Sequence, residues 1–563
     1  MKKKLLIGIG VVTLLTLMSL AWLIFAPAGP IVVGRDSTYL TEPIDANGMV
    51  DYEQAIVDLQ GEGVTPEENA AIPLLTAIWP AGLEPEQQQL VCEAIGMPLP
   101  ESAGMGALFD EEVQQLVANE LNTIGQSHPD YVDLDADDTK VTTILLKTTQ
   151  VPWLRGQLPA LAKWIEAQQP HLAELRAIQE RPKFFLPSPD LLDDEREGLL
   201  AADNPVLSNL RDPADVLKVR AMLAIGERRP ADAWEAIKTL FALSRCRNQP
   251  DNTRVTLYSY STRAQAYVAL TTLLASGDCN AQLLDEMESF LAKLKPLHEL
   301  PASICVVDRL TTLDSAVHML HDVDGKAPTI DGYGLIEGAP FDQNVMLIRL
   351  NAWYDQLAAA LEVEGPFACR EAVRRFNDQL EAEVEISNSA GELGSALFSR
   401  QVRGELVAKL LGGLMIPAAG QAVWIEQEKN AQLQLLRVAV AIQRYQVEHG
   451  NYPADLAALA DKINPALLID PHTGKPMQYQ RRPPGFLLYA IGPDGTDDGG
   501  NSSEGKIVHG DWALDNPNES SIQGDLVIRL PLPEQSITDF FPWNLPPEEE
   551  FDWEDQDSDV ANE

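Results

Sequence analysis

The stretch DPADVLKVRAMLAIGERRPADAWEAIKTLF, residues 212–241, settles the class of fold. Asp212 and Pro213 mark a helix start, because proline in the first turn gives up an N–H that has no partner there. Val216, Val219 and Leu223 follow at spacings of three and four, which line up on one side of a 3.6-residue helix. Gly226 stops that helix and Pro230 starts another, with Trp234, Ile237, Leu240 and Phe241 forming its apolar stripe. Each stripe needs a cover, and the short link between them folds the two helices into an antiparallel hairpin.

The pattern continues in both directions. Residues 263–275 and 281–294, joined by a turn at Gly277, make a second hairpin, and further helices are expected over 344–362, 366–383 and 393–414. Two hairpins in series resemble a tetratricopeptide-type or other α-solenoid. No fixed repeat length emerges, however, so a helical bundle is the plainer reading. Upstream, residues 31–60 read as an extended lead-in with a turn at Asn47-Gly48, followed by a helix. Thr65 and Pro66 have the form of a helix cap and a first helical residue.

At the start of the chain, Lys2, Lys3 and Lys4 precede residues 5–25, which carry no charge and are numerous enough to cross a bilayer as a helix. Trp22 falls near the far interface, and Pro27 and Pro30 then end the helix. The lysines hold the N-terminus in the cytoplasm, so the rest of the chain is exported. Ala26-Pro27-Ala28 has the small-x-small form of a cleavage site, which makes a cleaved signal the alternative. The apolar run is longer than a signal core, which favours an uncleaved anchor.

Charge narrows the function classes. Asp and Glu number 84 against 42 Lys and Arg, a formal net charge of −42. Such a field repels nucleic acid and anionic headgroups, attracts cations and keeps the exterior solvated. Cys92, Cys246, Cys279, Cys305 and Cys369 form no CxxC pair, which argues against a zinc or thioredoxin-type site. Outside the cytoplasm one or two disulfides are permitted, with at least one thiol left over.

After residue 415 the pattern changes. A long amphipathic helix carries Leu435, Val438, Ala439, Ile442 and Tyr445 and ends at Gly450. Asn451-Tyr452-Pro453 follows, then a short helix over 454–460 and the turn Asp470-Pro471-His472-Thr473-Gly474-Lys475-Pro476. Residues 477–480 and 485–490 read as paired strands, with a last strand over 524–530. Between them lies Gly492-Pro493-Asp494-Gly495-Thr496-Asp497-Asp498-Gly499-Gly500, three aspartates spaced by glycines that can curl around one cation.

This order resembles the globular domain of the major pseudopilin of type II secretion systems, over about one hundred residues. The resemblance implies an α+β module and a Ca2+ site with Asp494, Asp497 and Asp498 as ligands, completed by backbone carbonyls. The departures are plain. Pseudopilins open with a processing glycine and a glutamate in the hydrophobic helix, whereas here the hydrophobic stretch lies about four hundred residues upstream and lacks that glutamate. The segments Tyr39 to Tyr52 and Gly63 to Ala70 resemble the openings of uncharacterised single-span bacterial envelope proteins.

Other clusters carry less. Asp314, His318 and His321 fall at i, i+4 and i+7 of a helix, with Asp322 adjacent, so one face can offer imidazoles and a carboxylate to a metal. The HExxH glutamate is missing, and a core-edge histidine pair is the bland alternative. Asp133, Asp135 and Asp137 begin like an EF-hand, but Asp138 and Ile144 stand where glycine and glutamate belong. Gly-x-Ser-x-Gly, a P-loop and a dinucleotide fingerprint are absent.

The expectation is therefore a mainly α protein in four parts: a membrane anchor over 1–30, a helical extracytoplasmic body over 31–415, a pseudopilin-like α+β module over 416–531 and a disordered acidic tail over 532–563. In that tail Trp543, Phe551 and Trp553 are available to a partner. Its expected role is that of a scaffold or binding protein at the bacterial cell membrane, held to the bilayer by residues 5–25. It would meet other envelope proteins there and bind no nucleic acid. An exported hydrolase using carboxylates or a His318/His321 metal site is one alternative, and an accessory of a secretion or pilus apparatus is the other.

Overall fold

The computed structural model describes residues 13–15, 18, 29–128, 132–193, 198–245, 251–322, 339–384, 390–416, 419–492, 495–501, 524–533 and 535–544, with backbone alone at 320–322, 390–393 and 419–421. Of the described residues helix makes up 61% and strand 5%, so the fold is mainly α with one small sheet. Residues 5–25 lie outside the described residues apart from Thr13, Leu14, Leu15 and Met18. Among the described residues no helix is long and apolar enough to cross a membrane.

The lead-in ends in α1 (Tyr52–Gly61), where the Asp51 side chain accepts the Gln54 N–H as N-cap. No helix begins at Pro66. Residues 65–69 form a turn, and the next helix starts at Ala71. The reason is a long-range competitor: Asn69 bridges to Lys183, its side chain bonds Phe185, and Arg181 takes the carbonyls of Pro66 and Asn69. Asp138, in the stretch that begins like an EF-hand, caps the helix Thr139–Thr148 through the Lys140 N–H.

The hairpin of residues 212–241 is present as α2 (Arg211–Gly226) packed on α3 (Pro230–Arg245), with Trp234, Ile237, Leu240 and Phe241 buried. Gly226 is required by a close approach: a Cβ there would lie 2.1 Å from the Trp153 carbonyl oxygen. The next helix, α4 (Thr253–Ala275), starts ten residues before the expected 263 and is capped by Asn252. It is followed by α5 (Ala281–Lys293), capped by Asn280. A π-helical segment, Ser303–Asp308, leads into α6 (Arg309–Asp322). Then come α7 (Gln343–Leu361), α8 (Pro366–Val384), α9 (Ala390–Phe398), α10 (Arg400–Met415) and α11 (Ala419–His449). The expected 393–414 helix is broken at Ser399, whose hydroxyl caps α10 through the Val402 N–H.

The long helix α11 returns to pack on both α4 and α5, which closes a bundle instead of extending a stack of repeats. Its polar side chains fix the contact. Arg437 donates to the carbonyls of Leu291 and Leu294 at the end of α5, and Asn430 exchanges two hydrogen bonds with the Leu297 backbone. Among the described residues two large hydrophobic cores and two small clusters result. One large core joins the helices of residues 70–294 to the C-terminal sheet, and the other joins α1 to helices α6–α8 and α10. Helix α11 enters both, with Ala422 and Val423 in the second core and Leu433 to Ile442 in the first.

The sheet is antiparallel in the order β1 (Gln478–Arg482), β2 (Gly485–Ala490), β3 (Leu526–Leu530), with β2 wholly buried beneath α11. The expected helix over 454–460 is a 3-10 turn, Leu456–Leu459. The chain does not become a free tail at 532. Residues 535–544 dock on the first core through buried Ile537 and Phe541, and Trp543 stacks on His128 with ring centroids 5.0 Å apart instead of standing free for a partner. Phe551 and Trp553 lie outside the described residues. Cys92, Cys279, Cys305 and Cys369 are free thiols, and Cys246 is outside the description.

Candidate functional site

Two groups of carboxylates bear on the sites expected from the sequence. The first is built from three segments. Glu53 stands in the first turn of α1, Asp314 and His318 are one turn apart on α6, and Gly198-Leu199 crosses between them. One ligand atom from each of Glu53, Asp314 and His318 lies within 4.8 Å of the others. Glu53 and Asp314 are 7% and 4% exposed, so their charges stand largely away from water. Consecutive backbone amides meet them: Gly198 N–H donates to Glu53 Oε1 at 2.9 Å and Leu199 N–H to Asp314 Oδ2 at 2.7 Å. His318 Nδ1 is 3.3 Å from Asp314 Oδ1.

Electrostatics follow from that geometry. The Asp314 carboxylate, hydrogen-bonded to the imidazole, raises His318 to about 9 against the lowering effect of its partial burial, and Glu53 adds to the rise. His318 is therefore an imidazolium at neutral pH. Burial, with the Asp314 charge added, also pushes the Tyr52 hydroxyl well above its usual range, and that hydroxyl donates to the Thr38 carbonyl. Gly198 lies at φ +94°, and a Cβ there would come within 3.1 Å of Asp314 Oδ2 and 3.4 Å of His318 Nδ1. Beside the cluster is a cavity of about 50 Å³ lined in part by Ile56, Leu199, Val307 and Thr311. It has room for several waters and opens toward solvent.

The second place is the loop after β2. Asp494 lies outside the described residues. Asp497 and Asp498 are exposed, and Asp497 Oδ1 accepts the Gly499 N–H at 3.0 Å and the Tyr489 hydroxyl at 3.3 Å. Asp525, just before β3, is 3% exposed. Its Oδ2 accepts the Gly500 N–H at 2.8 Å. Burial raises its pKa against the lowering effect of the Gly500 and Asp498 backbone amides, and the Asp497 and Asp498 charges add to the rise.

The sequence brought Asp314 and His318 together correctly, because i, i+4 spacing alone puts them on one face. The backbone of His321 and Asp322 ends α6, and their side chains are outside the description. Glu53 had no sequence signal, since it reaches the cluster only through the packing of α1 on α6. Asp525 reads as an ordinary residue before a strand, and only β2–β3 pairing sets it under the loop. Other buried polar groups also come from tertiary packing. Glu426 of α11 accepts the Tyr260 hydroxyl at 2.5 Å and the Leu300 N–H at 3.2 Å, and burial raises its carboxyl pKa. His472, 4% exposed with both ring nitrogens unpartnered among the described residues, packs edge-on to Phe367 of α8.

No family model, curated protein or solved structure matches the chain.

Proposed function

We propose that the chain is a single-span, membrane-anchored protein of the bacterial envelope, whose acidic body works outside the cytoplasm as a scaffold or binding protein and whose pseudopilin-like C-terminal module is stabilised by calcium. The observation that carries the calcium part is Asp525, a buried carboxylate that meets two backbone amides and no cationic side chain among the described residues and is set against the charges of Asp497 and Asp498. An ionised carboxylate held that way is costly, and a hard cation with six to eight oxygen ligands relieves the cost. Among the described residues these carboxylates do not form a set of three within 4.8 Å, so calcium has to draw Asp497 and Asp498 inward, with Asp494 as a further ligand. The long helix over a three-stranded antiparallel sheet supports the pseudopilin-like reading, and the uncharged stretch 5–25 behind three lysines supports the anchor.

Thermal melts of the full chain in chelator and in calcium test the site. Calcium at 100 times its dissociation constant adds about 2.7 kcal/mol, a rise of about 5–11 °C for a cooperative unit of roughly 150–250 residues and about 2 °C if the whole chain unfolds as one. Identical melts with no heat of calcium binding in calorimetry remove it.

A second reading, an exported hydrolase with a metal held at His318, draws on the Glu53–Asp314–His318 grouping. A first-row divalent ion suits that mixed oxygen and nitrogen set. Zinc titration decides: no heat, and no zinc retained on dialysis, dismisses it.

A further inference from the structure

The first residues after the apolar stretch are tied to the body at one point. Asn344, in the first turn of α7, donates from Nδ2 to the Pro30 carbonyl at 3.0 Å and accepts the Val32 N–H on Oδ1 at 2.8 Å. Ile31 and Val33 on either side of Val32 pack on the second core. The same corner holds α9 and α10 together. The Asp342 N–H donates to the Arg400 carbonyl, and fully buried Arg403 donates to the carbonyls of Pro340, Ala396 and Leu397. A Cβ at Gly404 would lie 2.4 Å from the Asp342 carbonyl oxygen, so α10 approaches the start of α7 as closely as backbones allow. Three apolar side chains remain in solvent around Asn344: Val32 at 64% exposure, Ile348 one turn along α7 at 45%, and Phe398 at the end of α9 at 47%.

Chain length says what lies against them. Phe25 and Pro30 are five residues apart, a span of about 17 Å at full extension. If residue 25 leaves the hydrocarbon of a bilayer, whose headgroup layer is about 5–8 Å deep on each side, Asn344 cannot stand more than about 10 Å beyond the headgroups. We infer that the corner formed by the start of α7, the end of α9 and the start of α10 rests on the bilayer surface, with Val32, Ile348 and Phe398 entering the headgroup layer. This inference rests on the membrane-anchor reading of residues 5–25. Aromatic and aliphatic side chains gain there by leaving water. A chain of net charge −42 gains nothing from anionic lipid, so the contact is apolar and zwitterionic lipid suffices.

The test uses the full chain in phosphatidylcholine vesicles, with a benzophenone amino acid placed singly at Phe398, at Ile348 or at Val447. Val447 is 42% exposed near the end of α11 that packs in the first core, about 40 Å along that helix from its other end. Irradiation should give lipid adducts at Phe398 and Ile348 at least tenfold above Val447. Equal, low yields at all three positions in protein that stays with the vesicles through an alkaline wash overturn the inference and leave the anchor standing. Release of the chain by that wash overturns the anchor, and the inference with it.

Discussion

Two of the places where the chain buries acid satisfy it in different ways. At Glu53–Asp314–His318 the donors come from inside the fold: two successive amides, Gly198 and Leu199, and an imidazolium held by Asp314. At the loop after β2, buried Asp525 meets the backbone amides of Gly500 and Asp498 with no cationic partner among the described residues, and the charges acting on it, Asp497 and Asp498, have the same sign. The two sites have similar composition and opposite electrostatics. A carboxylate group met by its own donors is a clamp, while one met by like charge needs a cation from solution.

The sharpest way to break this contrast is to cut the clamp. Asp314→Ala leaves the Leu199 N–H without its acceptor and removes the carboxylate that holds His318. Leaving a buried donor without its acceptor costs about 1–3 kcal/mol, and losing the half-exposed His318 partner adds about 1 kcal/mol, read by chemical denaturation of the full chain. Asp314→Asn keeps an acceptor for Leu199 and should lose less. In both variants the His318 titration, followed by NMR, should fall from about 9 toward its ordinary range. A loss under about 1 kcal/mol in Asp314→Ala means that the segment at 198–199 is held by something else, and the clamp reading fails.

The loop predicts the opposite pattern. Asp525 is raised in the folded state, so its ionised form costs stability above its folded pKa, and the cost vanishes as pH falls below it. Asp525→Asn removes that cost and should leave stability in chelator unchanged or slightly higher. In saturating calcium the native chain should gain about 2–3 kcal/mol that the variant does not. A variant that is unstable in chelator and still gains with calcium makes Asp525 a structural group and returns the ion to Asp494, Asp497 and Asp498 alone.

What the sequence disclosed follows from range. The hairpin α2–α3, α8 and the order of helix and strands in the module were legible because spacing, proline and glycine act locally. Helix α4 was half hidden: it is buried on nearly every side, and its polar residues find partners across the bundle, Thr256 with Ser303, Tyr260 with Glu426 and Arg263 with Ser244. A helix without a solvated face shows no stripe. Thr65-Pro66 misled for the related reason that Asn69 and Arg181, more than a hundred residues apart, outbid a local cap. Half of the first site was visible, because Asp314 and His318 share a helix face; Glu53 and the amides at 198 and 199 arrive from elsewhere in the chain. In the second site the glycine-spaced aspartates were visible and the buried member was not.

The smallest expected effect is the pH dependence of the clamp, and it needs the most care. His318 is raised from 6.5 to about 9 in the fold, so its contribution is fully present below pH 6.5 and is lost as pH rises through about 9. Its side chain is 46% exposed, so solvent screening leaves about 1 kcal/mol of the unscreened value. The cysteines work in the same direction. Burial raises Cys92, Cys279, Cys305 and Cys369, with Cys305 at about 11 and Cys279 at about 12, so unfolding is also favoured as free thiols ionise above about pH 8.5. A bare decline in stability between pH 6.5 and 9 therefore proves nothing about His318. The difference between the native chain and His318→Gln does, because the thiols cancel: it should shrink by about 1 kcal/mol across that window. A difference that stays flat means that Asp314 does not hold a proton on the imidazole, and the clamp then rests on the two amides alone.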